Sequence, residues 1–350
     1  MDFKFPLYKL SVVAMAKLYE ALGTEEILQL AQGSRKMRDR LSSVKHVQKD
    51  LEVHVEFGTF ERKVTIFRNN EWFTMASHSI RHRDNVNFTQ FQNLVINGVQ
   101  EKVHVTDIGW ATVNVDYSNI VFHFLEELES LFNIRIYLVY CTFRRGFPFQ
   151  QIFTKSNLLL DADEITIAHC GVSHLEMTYL LDTLQVTIFE FQGNPGMHYE
   201  YPFALRFEII SIHDCSWLKH HNIPKFSDYK RLNLQCSFFT KEQLNAYVLE
   251  WFGSDKTLLQ YVHLTKHAHN EPDEDWELEK ILEGLPFVEG RAKKLDAAVH
   301  YDNETPYENG YDLVRKDGVT ATFVVWEDED QCRFNMTVWQ KKDINVEHTD

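Results

Sequence analysis

LEVHVEF, residues 51–57, alternates apolar and polar side chains at every position. This period of two is typical of a strand with one buried face. A second alternating run, KVTIF at residues 63–67, follows a turn at Gly58 and Thr59. The two runs together predict a β-hairpin. Because the residues before 50 have a helical period instead, the hairpin marks a boundary between two kinds of structure.

Upstream of the hairpin, the first 45 residues have the spacing of three short helices. Apolar side chains in residues 10–22 recur on one broad face, and a shorter apolar stripe follows in residues 27–31. The third helix is basic on one side. Three short helices cannot bury this much apolar surface among themselves, so another surface must cover it. The predicted N-caps are Ser11, Thr24 and Ser34, and the predicted helix ends are Gly23 and Gly33.

Downstream of the hairpin, the chain passes through short strands into alternating helices and strands. Residues 77–86 are polar and basic, and we expect a loop there. The predicted helices are 120–132, 172–181 and 241–251. The predicted strands are 103–105, 111–115, 134–139, 164–168, 184–189, 206–212, 231–235 and 259–264.

The later strands recur at intervals of roughly 20 to 30 residues, the range of leucine-rich-type repeats. No regular Asn ladder accompanies them. The expected fold class is therefore α+β: a small N-terminal three-helix module, then an irregular α/β leucine-rich-repeat-like solenoid. Antiparallel strands at 311–315, 319–326 and 332–339 are expected to close the chain, because good turn sequences separate them.

Charge and cysteine usage restrict the function. A net charge of -15 argues against general binding to nucleic acid or to an anionic membrane. No stretch approaches the roughly 20 apolar residues that span a bilayer. The five cysteines are isolated and never form a C-x-x-C pair. They predict small buried side chains in a reducing compartment, which is the cytoplasm or the nucleus.

Several motifs, in this order, resemble one protein family. The first group of motifs resembles the F-box of nematode-type F-box proteins. It consists of Phe5-Pro6-Leu7 with Leu10, the helix that follows them, and Ile27-Leu28-x-Leu30-x-x-x-Ser34-x-Lys36. Five later motifs resemble the F-box-associated domain of type 2 in those proteins: Ser216-Trp217-Leu218, Leu232-x-Leu234, Ser237-Phe-Phe-Thr240, Leu244-Asn245 and Trp251. The ending resembles their C-terminal hairpin, through Arg315-Lys-Asp-Gly318-x-Thr-Ala-Thr322 and Phe334-x-Met336-x-Val338-Trp339.

The resemblance implies an F-box at residues 1–45 and an F-box-associated, target-binding domain at 50–345, matched best at 205–290 and 310–340. Such a protein is the non-catalytic substrate receptor of a Skp-cullin-F-box ubiquitin ligase. Its partners are a Skp-type adaptor, through it a cullin, and a protein target. The residues implied to contact the adaptor are apolar: Pro6, Leu7, Leu10, Val13, Leu22, Ile27 and Leu30. One position departs from the family, since Ser11 follows Leu10 where a Pro is usual; Ser is itself a good N-cap.

The same helices allow another interpretation, in which they only cap the end of a solenoid that serves as a protein-interaction scaffold. An enzyme is the third alternative. His263 and His267 have the i, i+4 spacing of a zinc helix, and His269 lies close by, but Leu264 stands where the catalytic Glu belongs. We therefore expect no metal and no cofactor.

Catalytic signatures are also missing from the sequence, which has no G-x-S-x-G, P-loop or G-x-G-x-x-G motif. We therefore expect no catalytic residues. Four tryptophans fall in apolar periodic runs and are predicted to lie mostly in the core, although tryptophan is also enriched at binding hot spots. They are Trp217, Trp251, Trp326 and Trp339.

Overall fold

The computed structural model confirms a mixed α+β chain, with helices at the N-terminus followed by a mainly strand region. It divides into two compact units, which we call unit 1 (Met1–Gly171 with Asp182–Val186) and unit 2 (Val172–Leu181 with Thr187–Asp350). The division expected from sequence, near residues 45–50, lies inside unit 1. The structure describes residues 7–47, 51–59, 61–68, 71–79, 91–106, 109–114, 117–142, 148–168, 171–196, 198–235, 239–267, 276–289, 310–327 and 331–339.

Three short helices open the described chain. The predicted N-caps Ser11 and Ser34 are confirmed, because each hydroxyl accepts a hydrogen bond from a main-chain N–H three residues on, at 3.2 Å. The second helix differs from the prediction: Gly23 is its N-cap, and the Glu26 carboxylate accepts the Gly23 N–H at 2.9 Å. The helices are α1 (Val12–Ala21), α2 (Thr24–Gly33) and α3 (Arg35–Ser42).

The described residues of unit 1 contribute eight strands to its sheet. They are β1 (Leu51–Gly58), β2 (Glu61–Arg68), β3 (Glu71–Ser79), β4 (Phe91–Ile96), β5 (Val99–Thr106), β6 (Gly109–Asn114), β7 (Ile134–Thr142) and β8 (Glu164–Ala168). Helix α4 (Tyr117–Leu131) connects β6 to β7, and α5 (Phe149–Phe153) precedes β8. The strand order is β8-β7-β1-β2-β3-β6-β5-β4. The pairs β8–β7, β7–β1 and β3–β6 are parallel, and the other four pairs are antiparallel.

The predicted hairpin is confirmed, since β1 and β2 pair antiparallel with His54 opposite Thr65. Along β1 every second residue is buried, as the alternation predicts. The loop expected at residues 77–86 is wrong at its start, because Ser77–Ser79 belong to β3. The rest of that segment, from residue 80, lies outside the described residues. Strands β3 and β4 were not predicted.

Helix α4 covers one face of this sheet, where it contacts β2, β3, β4 and β6. Phe57 of β1 contacts Phe122 of α4, with ring centroids 6.2 Å apart. Gly109 begins β6 with φ of 149°, and a Cβ there would lie 1.9 Å from the carbonyl oxygen of Thr74. Only glycine therefore permits β6 to approach β3 this closely.

Unit 2 contains a second set of eight strands. They are β9 (Ile188–Phe191), β10 (Ile209–Ile212), β11 (Arg231–Leu234), β12 (Tyr261–His267), β13 (Phe287–Glu289), β14 (Tyr311–Val314), β15 (Thr320–Glu327) and β16 (Gln331–Trp339). Helix α6 (His174–Thr183) precedes β9, α7 (Lys241–Gly253) joins β11 to β12, and α8 (Leu278–Ile281) precedes β13. Four strands, β9 to β12, are parallel and lie side by side in chain order. The remaining strands continue from β12 as the antiparallel series β16, β15, β14 and β13.

The core of unit 2 agrees with most of the sequence predictions. Trp251 and Trp339 are buried as predicted, and so is Trp217, whereas Trp326 is half-buried. The antiparallel C-terminal strands are confirmed. The predicted strands at 184–189 and 206–212 begin too early, because pairing starts only at Ile188 and Ile209.

Across the described part of the chain, no helix combines the length and apolar character needed to cross a membrane.

Candidate functional site

The residues implied to bind an adaptor lie on different sides of the N-terminal helices. Pro6 falls outside the described residues. Val13 is the most exposed of the others, with 72% of its surface accessible, and it lies in the first turn of α1. Four more are half-buried: Leu7, Leu10, Leu22 and Leu30.

Ile27 has no accessible surface at all. It lies in α2 beside Leu28, which is also fully buried, so both side chains belong to the core of the protein itself. A charge placed at Ile27 would be buried without a partner and would oppose folding before it could affect binding. Substitution of Ile27 therefore reports on stability, and the structure leaves its side chain unavailable to a partner.

An apolar surface that does face solvent is formed by Tyr8, Val12 and Val13, which we call the N-terminal patch. Tyr8 belongs to a short 3-10 helix, Leu7–Lys9, directly before α1. All three side chains are exposed. The family resemblance implies a contact role for Val13 alone among them. Tyr8 and Val12 were not predicted to be exposed, because exposed and buried apolar residues fit the same helical period. Exposed valines at the start of a helix are a feature that a single sequence does not distinguish from core positions.

Two basic side chains contact the N-terminal patch at Tyr8. The Lys36 ammonium lies 5.5 Å from the centre of the Tyr8 ring, a cation–π distance. Arg40 donates to the carbonyl oxygens of Tyr8 and Leu10, at 3.3 and 2.7 Å, and so holds the 3-10 helix against α3. Residues 7–45 contain seven Lys or Arg and four Asp or Glu, in a chain whose net charge is -15. The patch is therefore apolar, with basic side chains beside Tyr8.

The opposite side of α1 is fixed to the sheet of unit 1 by a buried arginine. Arg68, at the end of β2, donates to the carbonyl oxygens of Tyr19 and Leu22 at 2.8 and 2.7 Å. These carbonyls lie at the C-terminal end of α1, where no helical partner remains and a positive charge is favourable. The guanidinium also lies over the rings of Tyr19 and Phe132, at 5.3 and 5.8 Å. Burial lowers the pKa of Arg68 and raises that of the Tyr19 phenol.

Helix α3 is attached to α4 by a second buried interaction. Arg38 forms an ion pair with Glu127, whose side chain is only 1% exposed, with an N–O distance of 2.5 Å. The same Glu127 oxygen accepts the main-chain N–H of Asn97 at 3.0 Å. Lys45 donates to the Glu129 carbonyl oxygen at 2.5 Å, and the Tyr19 hydroxyl donates to that of Leu131 at 2.7 Å. The three helices are therefore part of the core of unit 1.

Helix α2 contacts an edge of the same sheet. The Gln32 side-chain amide accepts the Val95 N–H and donates to the Val95 C=O, both at 2.7 Å. Val95 belongs to β4, the last strand of the sheet, and the outer main-chain groups of β4 face no further strand among the described residues of unit 1. Gln32 thus occupies one hydrogen-bonding position at an edge that could otherwise pair with another chain.

The zinc alternative gains no support from the geometry. Within the described residues, no group of three or more His, Cys, Asp or Glu is arranged to hold a metal ion. His263 lies in β12, not in a helix, and its Nδ1 is 2.6 Å from Oδ1 of Asn335. His267 ends the same strand, and His269 is outside the described residues. The i, i+4 spacing therefore does not place these histidines on one helical face.

Comparison of the chain with protein-family models, with curated proteins and with solved structures finds no match.

Proposed function

We propose that this protein is the substrate receptor of a Skp-cullin-F-box ubiquitin ligase, acting in the cytoplasm or the nucleus. In this proposal residues 1–45 bind a Skp-type adaptor and the remainder captures a protein target. The receptor performs no catalysis. It raises the effective concentration of the target beside the ubiquitin-transfer subunits, which the adaptor and a cullin bring together.

The observation that carries the proposal is the N-terminal patch. Three short helices follow one another as the F-box resemblance implies, and Tyr8, Val12 and Val13 are exposed at their N-terminal end, with Lys36 beside Tyr8. Exposed apolar side chains with polar neighbours are typical of protein-binding surfaces. The parallel strands β9 to β12, in chain order, support the further proposal that the target-binding domain is an irregular leucine-rich-repeat-like solenoid.

The experiment is co-purification of tagged protein with a Skp-type adaptor. The decisive variant is Val13→Asp, because Val13 is exposed and an aspartate there stays hydrated in the free protein. In a complex the carboxylate would be buried in an apolar interface at a cost of several kcal/mol. We expect wild-type protein to capture the adaptor and Val13→Asp to lose it while the melting temperature stays unchanged.

Leu175→Asp is the matched control. Leu175 is 84% exposed and lies in α6, far along the chain from the N-terminal helices. This variant should retain the adaptor. Ile27→Asp is unsuitable as an interface variant, since it would remove a core side chain. Equal adaptor capture by wild type and Val13→Asp would contradict the assignment of the patch, and no capture by wild-type protein would contradict the proposed function.

One set of contacts favours the second candidate, a protein-interaction scaffold whose N-terminal helices act as a cap. Arg68, Arg38 and Gln32 each tie one of these helices to the neighbouring sheet or to α4. A cap needs such contacts, because its task is to cover the apolar edge of the elements behind it. A stable protein that binds other partners but never the adaptor would favour the scaffold.

A further inference from the structure

The sheet of unit 1 carries a row of aromatic side chains on the face that α4 does not cover. We call Tyr137, His54, Phe67 and Trp72 the aromatic strip; they lie on β7, β1, β2 and β3. Side chains alternate between the two faces of a strand. On β1, Val53 and Val55 are fully buried, whereas His54 between them is half-buried. The strip is therefore on the outer face.

Ring contacts join the strip into one surface. His54 lies 5.6 Å from Tyr137, nearly parallel to it, and 5.5 Å from Trp72, edge to face. Phe67 and Trp72 are cross-strand neighbours with ring centroids 4.6 Å apart. Such pairs hold each other in place, so the rings form a fixed platform.

The two ends of the platform are open to solvent. Trp72 is 51% exposed and Tyr137 is 42% exposed, although each could have packed inside. The described tryptophans elsewhere in the chain are all more buried than Trp72. Large aromatic side chains at the surface are over-represented at binding sites, since they provide much contact area at a low cost in conformational entropy.

Carboxylates accompany the rings. Glu52 lies opposite Phe67 across the β1–β2 pair, and its side chain is 41% exposed while it accepts from His54 Nε2 at 3.0 Å. Glu56, four residues after Glu52 on the same face, is equally exposed and pairs with Lys63 at 2.9 Å. The hydroxyls of Thr65 and Thr74, 3.2 Å apart, interrupt the apolar surface between the rings. An entirely apolar partner would leave these polar groups without water.

We propose that the aromatic strip binds an arginine- or lysine-bearing segment of a partner protein. The negative faces of Trp72 and Tyr137 attract a cation, and Glu52 supplies a carboxylate beside them. The chain as a whole carries a net charge of -15, which favours association with a basic segment. A role of the aromatic strip in capturing a ubiquitination target rests on the proposed function. Binding of the basic segment itself does not depend on that function.

The test uses two peptides of the same length and shape, Gly-Arg-Gly-Arg-Gly and its citrulline counterpart, which has no positive charge. Binding of each to the full chain is measured by fluorescence anisotropy of a labelled peptide at low ionic strength. We expect the arginine peptide to bind and the citrulline peptide not to bind. Because exposed cation–π contacts are weak, Trp72→Ala and Tyr137→Ala should each reduce affinity by roughly two- to fivefold.

Matched variants separate binding from folding. Trp72→Phe keeps an aromatic face and should retain most of the affinity, Glu52→Gln should reduce it, and Leu175→Ala in α6 should leave it unchanged. Melting temperatures of these three variants, and of Trp72→Ala and Tyr137→Ala, should stay close to wild type, since each altered side chain is at least partly exposed. Equal binding of the two peptides, or no effect of Trp72→Ala, would overturn the proposal.

Two further outcomes are distinguishable. A concentration-dependent dimer of wild-type protein that Trp72→Ala abolishes would replace the basic segment with a second copy of this chain. Adaptor co-purification provides the separate readout for the proposed function. The strip variants should still capture the adaptor, and Val13→Asp should still bind the arginine peptide, so failure of one assay leaves the other interpretable.

Discussion

Arg68 in unit 1 and Arg315 in unit 2 are two buried arginines that bind helix ends in the same way. Arg68 donates to the carbonyls of Tyr19 and Leu22 at the end of α1. Arg315 donates to the Trp251 carbonyl at the end of α7, at 3.4 Å, and to that of Lys256, at 2.8 Å. Each guanidinium also covers an aromatic ring of the helix it binds, Tyr19 at 5.3 Å and Trp251 at 5.2 Å.

One difference lies in how far apart in the chain the joined residues are. Arg315 pairs with Asp317, two residues away and partly exposed, through Nε at 3.2 Å and through Nη2. Arg68 is held by the helix it anchors, and burial lowers its pKa. In unit 2 the arginine and its carboxylate belong to one local turn, whereas in unit 1 the arginine joins segments 46 and 49 residues apart. The N-terminal helices are therefore more than an appended module, since unit 1 uses their main chain to stabilise its own buried charge.

The largest effect should come from removing the helices that Arg68 and Glu127 contact. Deletion of residues 1–45 takes away both carbonyl acceptors of α1 and the Arg38 partner of a buried carboxylate. It also uncovers the apolar surface that Ile27 and Leu28 bury. We expect the fragment 46–350 to aggregate or to lose a cooperative melt, measured by size-exclusion chromatography and circular dichroism.

A soluble monomeric fragment with a melt like that of the full chain would show the opposite: residues 46–350 would fold independently of the N-terminal helices. Under the proposed function, such a fragment should compete for the target and shield it from ubiquitination.

Replacement of the aromatic ring beneath Arg315 should have the next largest effect. Trp251→Ala removes a buried side chain of the unit 2 core, so the free energy of unfolding should fall by about 3–5 kcal/mol. Trp72→Ala is the matched control, because Trp72 is half exposed, and it should change stability far less. Urea denaturation of both variants measures the difference. Equal losses would remove Trp72 from the surface role proposed for it.

Substituting the two arginines compares the anchors directly. Arg68→Met and Arg315→Met keep most of the side-chain volume but leave helix carbonyls unpaired, at a cost of about 1–3 kcal/mol in each unit. In double-mutant cycles, Asp317→Asn should show coupling to Arg315→Met and no coupling to Arg68→Met. Coupling of similar size between Asp317→Asn and Arg68→Met would contradict the local character of the unit 2 anchor.

The smallest effect is a pH dependence that belongs to unit 2. Hydrogen bonding to Arg315 lowers the pKa of the Asp317 carboxyl below its ordinary value of 3.8. A group with a lowered pKa stabilises the folded state at pH values above its unfolded pKa, and this contribution is lost as the pH falls through the folded pKa. Because Asp317 is partly exposed, the contribution should be at most about 1 kcal/mol.

Asp317→Asn should therefore be slightly less stable than wild type at pH 7, and the difference should shrink as the pH falls below 3.8 and through the lowered pKa of the folded state. Urea denaturation across this range measures the change. A difference that persists unchanged at low pH would show that the asparagine acts by something other than loss of charge.

Local patterns in the sequence were sufficient for much of the fold. The hydroxyl caps at Ser11 and Ser34 and the alternation in β1 depend on neighbouring residues only, so they could be read directly. Strand β3 was missed because its apolar residues do not alternate with polar ones: Trp72 and Phe73 are adjacent, and so are Met75 and Ala76. Strand β10 begins later than predicted, since its pairing with β9 starts at Ile209, opposite Ile188.

The candidate site was less predictable, for a physical reason. An apolar residue in a helical pattern indicates that its side chain will be covered. It does not indicate which part of the chain, or which partner, will cover it. Ile27 and Val13 carry similar side chains, yet the first is buried in its own chain and the second is exposed. Arg68 and Glu127 decide which helix faces turn inward, and their partners are 46 to 89 residues distant. Single-sequence periodicity contains no information about such pairs.

The hydroxyl of Tyr19 finds its acceptor at Leu131, 112 residues later in the chain. During synthesis, at about 5–20 residues per second, roughly 5–20 s separate the two residues. During that interval α1 to α3 leave the ribosome, while α4, which α1 and α3 contact, has not yet been made. A protein that meets this chain while it is being translated therefore encounters the inner apolar faces of these helices, and after α4 is complete it encounters only the outer one.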